Sequence, residues 1–531
     1  MKSKKKASRN LVTWPIDKLP INFPDGVRKL YEKNYIKNRK KYTFWIDKVG
    51  ENCCEDIDWW MTLPSYRNPY YSNILNYMTV IDTLNQLKKK RIKIITHSKS
   101  MSEIINQKFR TNKINVYVKK KLTFFIGVKS FFSSIIFQTI LYCFINIFVK
   151  KKKINKKNKI IIIDKFVTLR KKQNLNFYKP FEDTKEIKNF IVPSFVFRSL
   201  NFVDLKNVMI ELLKKENNYI FKEHYLKIQD LLFAFFHILR RKKFVNRKYD
   251  YKKNDISKLI KEEILNFNDF KSIHTGILNY LFFKRAADKK LNLIKSINWF
   301  ENQIVDKGWN LGFRKFFSKI EKNSYGYQDF NKHYNLISNS PSRLEYNSKV
   351  TPEKIVIISK LFKKITKEFF FSQKLILGKS WRFKKIINNK LSSIQMSKRN
   401  KITLILCGLK HIDEELIKLT INSCLLDNKI KIYVKPHPIL DISYIISKTK
   451  MPKNFILYNG NLQKLLQESL ISITAGPSSA LLESFYLKTF IILPNIESGT
   501  EENAKIFNLN RSQFAIINNS KELTKTIKSL I

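Results

Sequence analysis

Two short segments in the last third of the chain hold residue types suited to gripping a phosphate. In KIYVKPHPIL, an apolar run ends at Lys435, Pro436, His437 and Pro438. A histidine between two prolines has little backbone freedom. Its imidazole, beside an ammonium, can hydrogen-bond or neutralise a phosphate; the other reading is a structural histidine in a rigid turn. In ISITAGPSSALLESFYLKTFIILP, Gly476, Pro477, Ser478 and Ser479 stand between an apolar run and a helical pattern. Proline suits a helix's first turn, where exposed N–H groups and two hydroxyls attract an anion, although Ser-Ser is commonly just a cap. Glu483, one turn on, could reach a ribose hydroxyl.

A second set of candidates lies upstream. Glu301 follows the apolar run 297–300, as at the exit of a buried strand, and Asn302 and Gln303 could orient it. A carboxylate there could serve as general base on an acceptor hydroxyl, or could be a hydrogen-bonded glutamate fixing a domain interface. In DWWMTLPSYRNP, the pair Trp59 and Trp60 could stack on a sugar ring or fill a core. Asp58 and Arg67 frame that pair as acceptor-side groups, with Asp58 the next candidate for the base. GxGxxG, P-loop, HExxH and DxD-like motifs are absent, so no metal site and no cofactor is expected.

These residues need strands and helices to hold them. Apolar runs at 355–358, 403–407, 432–434, 455–457, 471–474 and 490–493 alternate with helical spacing at 413–423, 462–468 and 478–487. That alternation predicts a doubly wound parallel sheet. Ligands bind at the carboxyl ends of such strands, so both phosphate-gripping segments should face one crevice. Upstream, 42–47, 92–96 and 160–164 read as strands, and 71–87 and 228–244 as helices. At 531 residues the chain exceeds one hydrophobic core. The expected division is an acceptor-side domain over 1–345, with a hydrophobic insertion at 122–149, and a nucleotide-binding domain over 346–531.

The insertion and the charge point to a surface. Residues 130–149 hold no charge over a length able to cross a bilayer core. Lysines flank both ends, which conflicts with a single span. A helix or helical hairpin lying in the inner leaflet is favoured; a true span and a buried core helix are the alternatives. With 101 Lys+Arg against 43 Asp+Glu the net charge is +58, which calls for anionic lipid or nucleic acid unless it reflects compositional drift. No nucleic-acid-binding module is recognisable. The five cysteines form no CxxC pair, so a reducing compartment fits, and no signal peptide is read.

Strand–KPHP followed by strand–GPSSALLES–strand resembles the donor half of GT-B glycosyltransferases that build bacterial surface polysaccharides. It is similar in particular to transferases of CMP-activated sugars, with their HP and Ser-Ser motifs around the CMP phosphate. The blocks 58–69, 299–310 and 326–328 resemble those of surface carbohydrate biosynthesis proteins. The resemblance implies an α/β fold of GT-B type, two Rossmann-like domains around a cleft, with His437, Ser478 and Ser479 on the nucleotide. It implies a nucleotide sugar and a glycan or lipid-linked acceptor as partners, at the cytoplasmic face of the inner membrane. The acidic base motif of sialyltransferases is not found. A polymerase moving polyol phosphate from a CDP donor would use the same parts.

Overall fold

The computed structural model describes residues 12–531 apart from 88–90, 110–113, 120–123, 156, 169–186, 197–201, 215–217, 253, 267–268, 388–398, 425–429, 439–441, 444–448 and 511. Aliphatic runs such as KITLI, SLISIT and FIILP have no polar face to give to water. They can only be strands buried on both sides. They form the middle of a six-stranded parallel sheet in the spatial order Phe455–Leu457, Ile432–Lys435, Lys401–Ile405, Ser469–Thr474, Phe490–Pro494, Phe514–Ile517. Counted along the chain this is 3-2-1-4-5-6, the doubly wound order expected. Side chains alternate between its faces. Ile402 and Leu404 pack with Ile412 and Leu416 of the helix Lys410–Cys424, whereas Ile405 joins Leu481 and Leu482 of the helix Ala480–Tyr486.

A second six-stranded parallel sheet has the order Lys374–Leu377, Lys354–Ile357, Ser324–Gln328, Leu293–Trp299, Lys159–Thr168, Ile187–Val196. From its far edge it counts 2-1-3-4-5-6, again reversing direction once. Lys354–Ile357 pairs with Ser324–Gln328 and with Lys374–Leu377, so the strand expected at 355–358 in the nucleotide-binding domain belongs to this sheet. A division at 345/346 would separate Lys354–Ile357 and Lys374–Leu377 from the sheet they complete. A third, three-stranded parallel sheet joins Val12–Pro15, Ile92–Thr96 and Ile114–Val118.

The expected strand at 42–47 is instead part of the helix Asp25–Gly50. Tyr31, Tyr35, Tyr42 and Ile46 recur at helical spacing and are buried together, and this longer period outweighs the local β-formers. The expected helix at 228–244 divides into Ile228–Phe235, His237–Arg240 and a 3-10 turn. Residues 130–148 lie within one continuous helix, Phe124–Phe148, rather than a hairpin, and Val149 follows its end. The helices Phe270–Asp288 and Ile304–Phe316 cross at glycines. A Cβ on Gly308 would stand 1.9 Å from the Gly276 carbonyl oxygen, so neither position tolerates a side chain.

The two large sheets meet through the segment 328–340. Asn331 Nδ2 donates to the Ser478 carbonyl (3.0 Å) and Asn335 Nδ2 to the Ser498 carbonyl (2.9 Å). His333 lies between Glu497 and Asn503, and the Tyr70 hydroxyl donates to Glu497 (2.8 Å).

Candidate functional site

Where a parallel sheet reverses direction, neighbouring strand ends diverge and leave a crevice. In the C-terminal sheet the reversal falls between Lys401–Ile405 and Ser469–Thr474. A cavity of about 700 Å³ opens there, lined by Leu406, Lys435, His437, Pro438, Asn461, Ser478, Ser479 and Glu483. Its opposite wall comes from the other sheet's segments: Trp299, Glu301, Phe330, Asn331 and Asn339, with Arg382 from the connection between the sheets. The two distant sequence segments and Glu301 thus share one cleft.

His437 is placed by a glycine. Gly408 has φ +87, and a Cβ there would come within 2.7 Å of His437 Nδ1, so the imidazole lies flat against backbone that only glycine provides. The Asp413 carboxylate holds this turn by accepting the N–H groups of Cys407 (2.8 Å) and Gly408 (2.9 Å), and burial pushes its pKa up to about 6. Lys435 Nζ donates to the Gly460 carbonyl (2.6 Å); burial lowers its pKa and the nearby Glu483 opposes this.

The Gly476–Ser479 turn does less with its hydroxyls than expected. The helix begins only at Ala480 and spans seven residues. Ser478 Oγ, buried, accepts from the Ala480 N–H (3.2 Å) and so shapes the turn. Gly476, at φ 71, does not line the cleft; a Cβ there would meet Cys407 Sγ at 2.8 Å. Ser479 makes no cap bond and lies 3.4 Å from Arg382 Nη1. Glu483 is buried behind them. Its pKa is raised by burial against the pull of Arg382 and Lys435.

Sequence reasoning missed Arg382. Its only local signal is a basic residue in a tryptophan-containing turn. That turn is rigid because Asp329 accepts the backbone N–H groups of Trp381 (2.9 Å) and Arg382 (3.0 Å), and Trp381 stacks on Tyr327 with centroids 4.4 Å apart.

Glu301 follows the strand Leu293–Trp299. Trp299 Nε1 donates to its Oε1 and Gln303 Nε2 to its Oε2, both at 2.7 Å. Asp306 accepts the N–H groups of Glu301 and Gln303 at 2.9 Å, fixing the turn. Gln303 does not line this cleft; it lines a second cavity of about 300 Å³, with Phe137, Gln138, Phe166, Ser194 and Asp269.

The remaining candidates are not brought to the cleft. Asn302, at φ 56, is fully buried and donates to the Ser338 carbonyl (2.8 Å) and Glu345 (3.1 Å) rather than orienting Glu301. Arg67 is buried on the same Glu345, as is Lys307, whose Nζ stands 2.9 Å from Oε1. Burial would raise the Glu345 pKa, but the two cations bring it down to about 2. Trp59 packs edge-on to Phe244, and Trp60 donates to the Cys54 carbonyl, both in the core. Asp58 is buried against His237 (2.7 Å) and the Arg240 guanidinium (2.7 and 2.9 Å). Burial alone would raise its pKa, but these partners hold it below the usual carboxylate range. A carboxylate so occupied is a structural ion pair, away from the cleft.

No family model and no curated protein matches the chain. Among solved structures it is similar to MurG from Acinetobacter baumannii, at 9% identity and TM-score 0.33, covering 70% of this chain and 90% of that one. It is similar also to a UDP-glucosyltransferase from Polygonum tinctorium capable of glucosylating indoxyl, at 8% identity and TM-score 0.34, and to Arabidopsis thaliana UGT89C1 complexed with UDP, at 8% and 0.38, with the same coverage. The fold itself is plain from the strand orders: two Rossmann-like lobes face each other across a cleft.

Proposed function

We propose that the chain is a glycosyltransferase whose cleft takes a nucleotide-activated sugar on the C-terminal lobe. The observation that carries this reading is the convergence of Lys435, His437, Ser479 and Arg382 at one sheet's reversal point, opposite Glu301 on the other lobe. Two cations, an imidazole and a hydroxyl suit the phosphate of the donor and the charge it gains on leaving. Glu483, which lines the same cleft, would take a ribose hydroxyl. In transfer, an acceptor hydroxyl gives its proton to Glu301 while its oxygen bonds the anomeric carbon. The bond from that carbon to the donor phosphate breaks, and the phosphate keeps the electron pair.

Trp299 and Gln303 hold the carboxylate's orientation, and the second cavity, which Gln303 lines, would take the acceptor. The HP and Ser-Ser segments favour a CMP-sugar donor, and the surrounding blocks favour synthesis of a bacterial surface polysaccharide. The acceptor is then a glycan or a lipid-linked precursor at the cytoplasmic face of the inner membrane. The apolar helix Phe124–Phe148 and the net positive charge suit that location.

Thermal melting of the purified chain with CMP, CDP, UDP and GDP tests the donor. A ligand held only by the native state raises the melting point. CMP should do so most. A response to CDP alone would favour polyol-phosphate transfer, and no response to any of the four, with salt-sensitive RNA binding, would sink the enzyme reading.

A further inference from the structure

The helix Phe124–Phe148 is two-faced. Phe137, Leu141 and Ile145 pack into a core with Val208 and Leu212 of the helix Phe202–Lys214. On its outer side Phe125, Phe132, Ile136, Ile147 and Phe148 are all more than half exposed. Apolar side chains also stand out to solvent on Ile228–Phe235, which touches this helix, at Ile228 and Leu232. Apolar exposure on this scale marks an interaction surface rather than scattered surface residues.

At the helix's C-terminal end lies a cavity of about 520 Å³ walled by Lys150–Lys153, Leu212, Leu213, His224 and Tyr225. At the helix end His224 Nε2 donates to the carbonyls of Ile145 (3.2 Å) and Val149 (3.0 Å). The ammoniums of Lys151 and Lys289 converge on one acceptor, the His224 carbonyl, at 3.0 and 3.4 Å. Both also lie over the Tyr225 ring, 5.2 and 4.9 Å from its centre. Among the described residues lining the cavity there is no carboxylate. Packing around its ammonium, and then Lys151, pull the Lys289 pKa down to about 8. Like charges have been gathered where an anion would relieve them.

We propose that this cavity holds the phosphate of an acidic phospholipid headgroup, with the outer face of the apolar helix seated in the same leaflet. The occupant is a lipid rather than a soluble anion because the lysines stand beside Val149, Leu212 and Leu213, next to an apolar face that acyl chains would cover. The inference rests on the membrane-face reading above and is independent of which nucleotide the cleft takes.

The test is flotation of the full chain with vesicles of phosphatidylcholine alone or with added phosphatidylglycerol. Two variants with equal charge loss are compared: Lys150, Lys151, Lys152 and Lys153 all to Ala, and Lys29, Lys33, Lys37 and Lys40 all to Ala on the exposed side of another helix. The first should lose affinity for the acidic vesicles by about a hundredfold or more and the second by only a fewfold, since the charges act within a short distance of the lipid surface. Equal losses, or unchanged binding by the first variant, would overturn the site while leaving membrane association standing. Failure of the unmodified chain to float with either vesicle would remove both. Displacement by glycerol phosphate in solution would assign the lysines to a soluble anion and overturn the lipid.

Discussion

On the proposed reading Glu301 and His437 divide the chemistry of the cleft they both line, and neither is part of a hydrophobic core. Glu301→Gln keeps the shape and the Trp299 contact but cannot accept a proton. Turnover should fall by about two to four orders of magnitude with donor affinity retained, read by separate rate and binding measurements; near-normal turnover would exclude Glu301. His437→Ala should weaken nucleotide binding at least about tenfold, the scale of one charge-assisted hydrogen bond, with the melting point of the ligand-free protein unchanged. Gly408→Ala offers a companion test by calorimetry, because a methyl at φ +87 would both strain the turn and press on the imidazole, so nucleotide affinity should fall with it. His437 was legible in the sequence because two prolines and a preceding strand restrict it. Arg382 was not, because what aims it is Asp329, more than fifty residues away in the chain.

At the scale of elements, the blocks around Trp59 and Trp309 turn out to be a packing device. Arg67, Asn302 and Lys307 converge on Glu345, joining the short helix Leu63–Tyr66, the helix Ile304–Phe316 and the turn at Ser342. Such a cluster is balanced only as a whole: removing Glu345 takes from Arg67 and Lys307 the carboxylate that each contacts directly. Glu345→Gln should cost about 3–5 kcal/mol in denaturant unfolding, with the remaining folded protein still binding nucleotide. A loss below about 1 kcal/mol would mean the cluster is solvated and not structural. In the sequence Arg67 reads as an acceptor-side group framing the tryptophan pair, and Asn302 as a residue that could orient Glu301. They prove to be the polar interior of a helix junction.

For the whole molecule, several buried carboxyls set how stability varies with pH. Burial raises Asp164 and Asp413 to about 6 and Glu263 to about 7. A group whose folded pKa is raised stabilises below its unfolded pKa, and that contribution is lost as pH rises through the folded value. Stability should therefore decline between about pH 4 and pH 7. Glu345 has the opposite sign: its contribution is present above its unfolded pKa and is lost as pH falls toward about 2. Glu263→Gln should flatten the upper part of the decline, a difference of order 3 kcal/mol from the size of that shift. Unfolding curves across the range check it, and parallel wild-type and variant profiles would refute it.

The local pattern of this chain determined its C-terminal lobe. Continuous aliphatic runs bounded by turns can bury both faces only as parallel strands under helices, and that geometry carries KPHP and GPSS to the same edge of the sheet, on strands that flank Lys401–Ile405. It determined the long apolar helix in the same way. What the tertiary structure alone decided is which polar residues meet. The strand Lys354–Ile357 looks like its neighbours downstream, yet it pairs with Ser324–Gln328, because register and partner are chosen by packing rather than by composition. Asp58 and Arg67 were drawn into ion pairs with His237, Arg240 and Glu345, while Glu301 was left facing the cleft. Burying a charge is tolerated only beside its partner, and the partners lie some 180 and 280 residues away, where no local spacing can announce them.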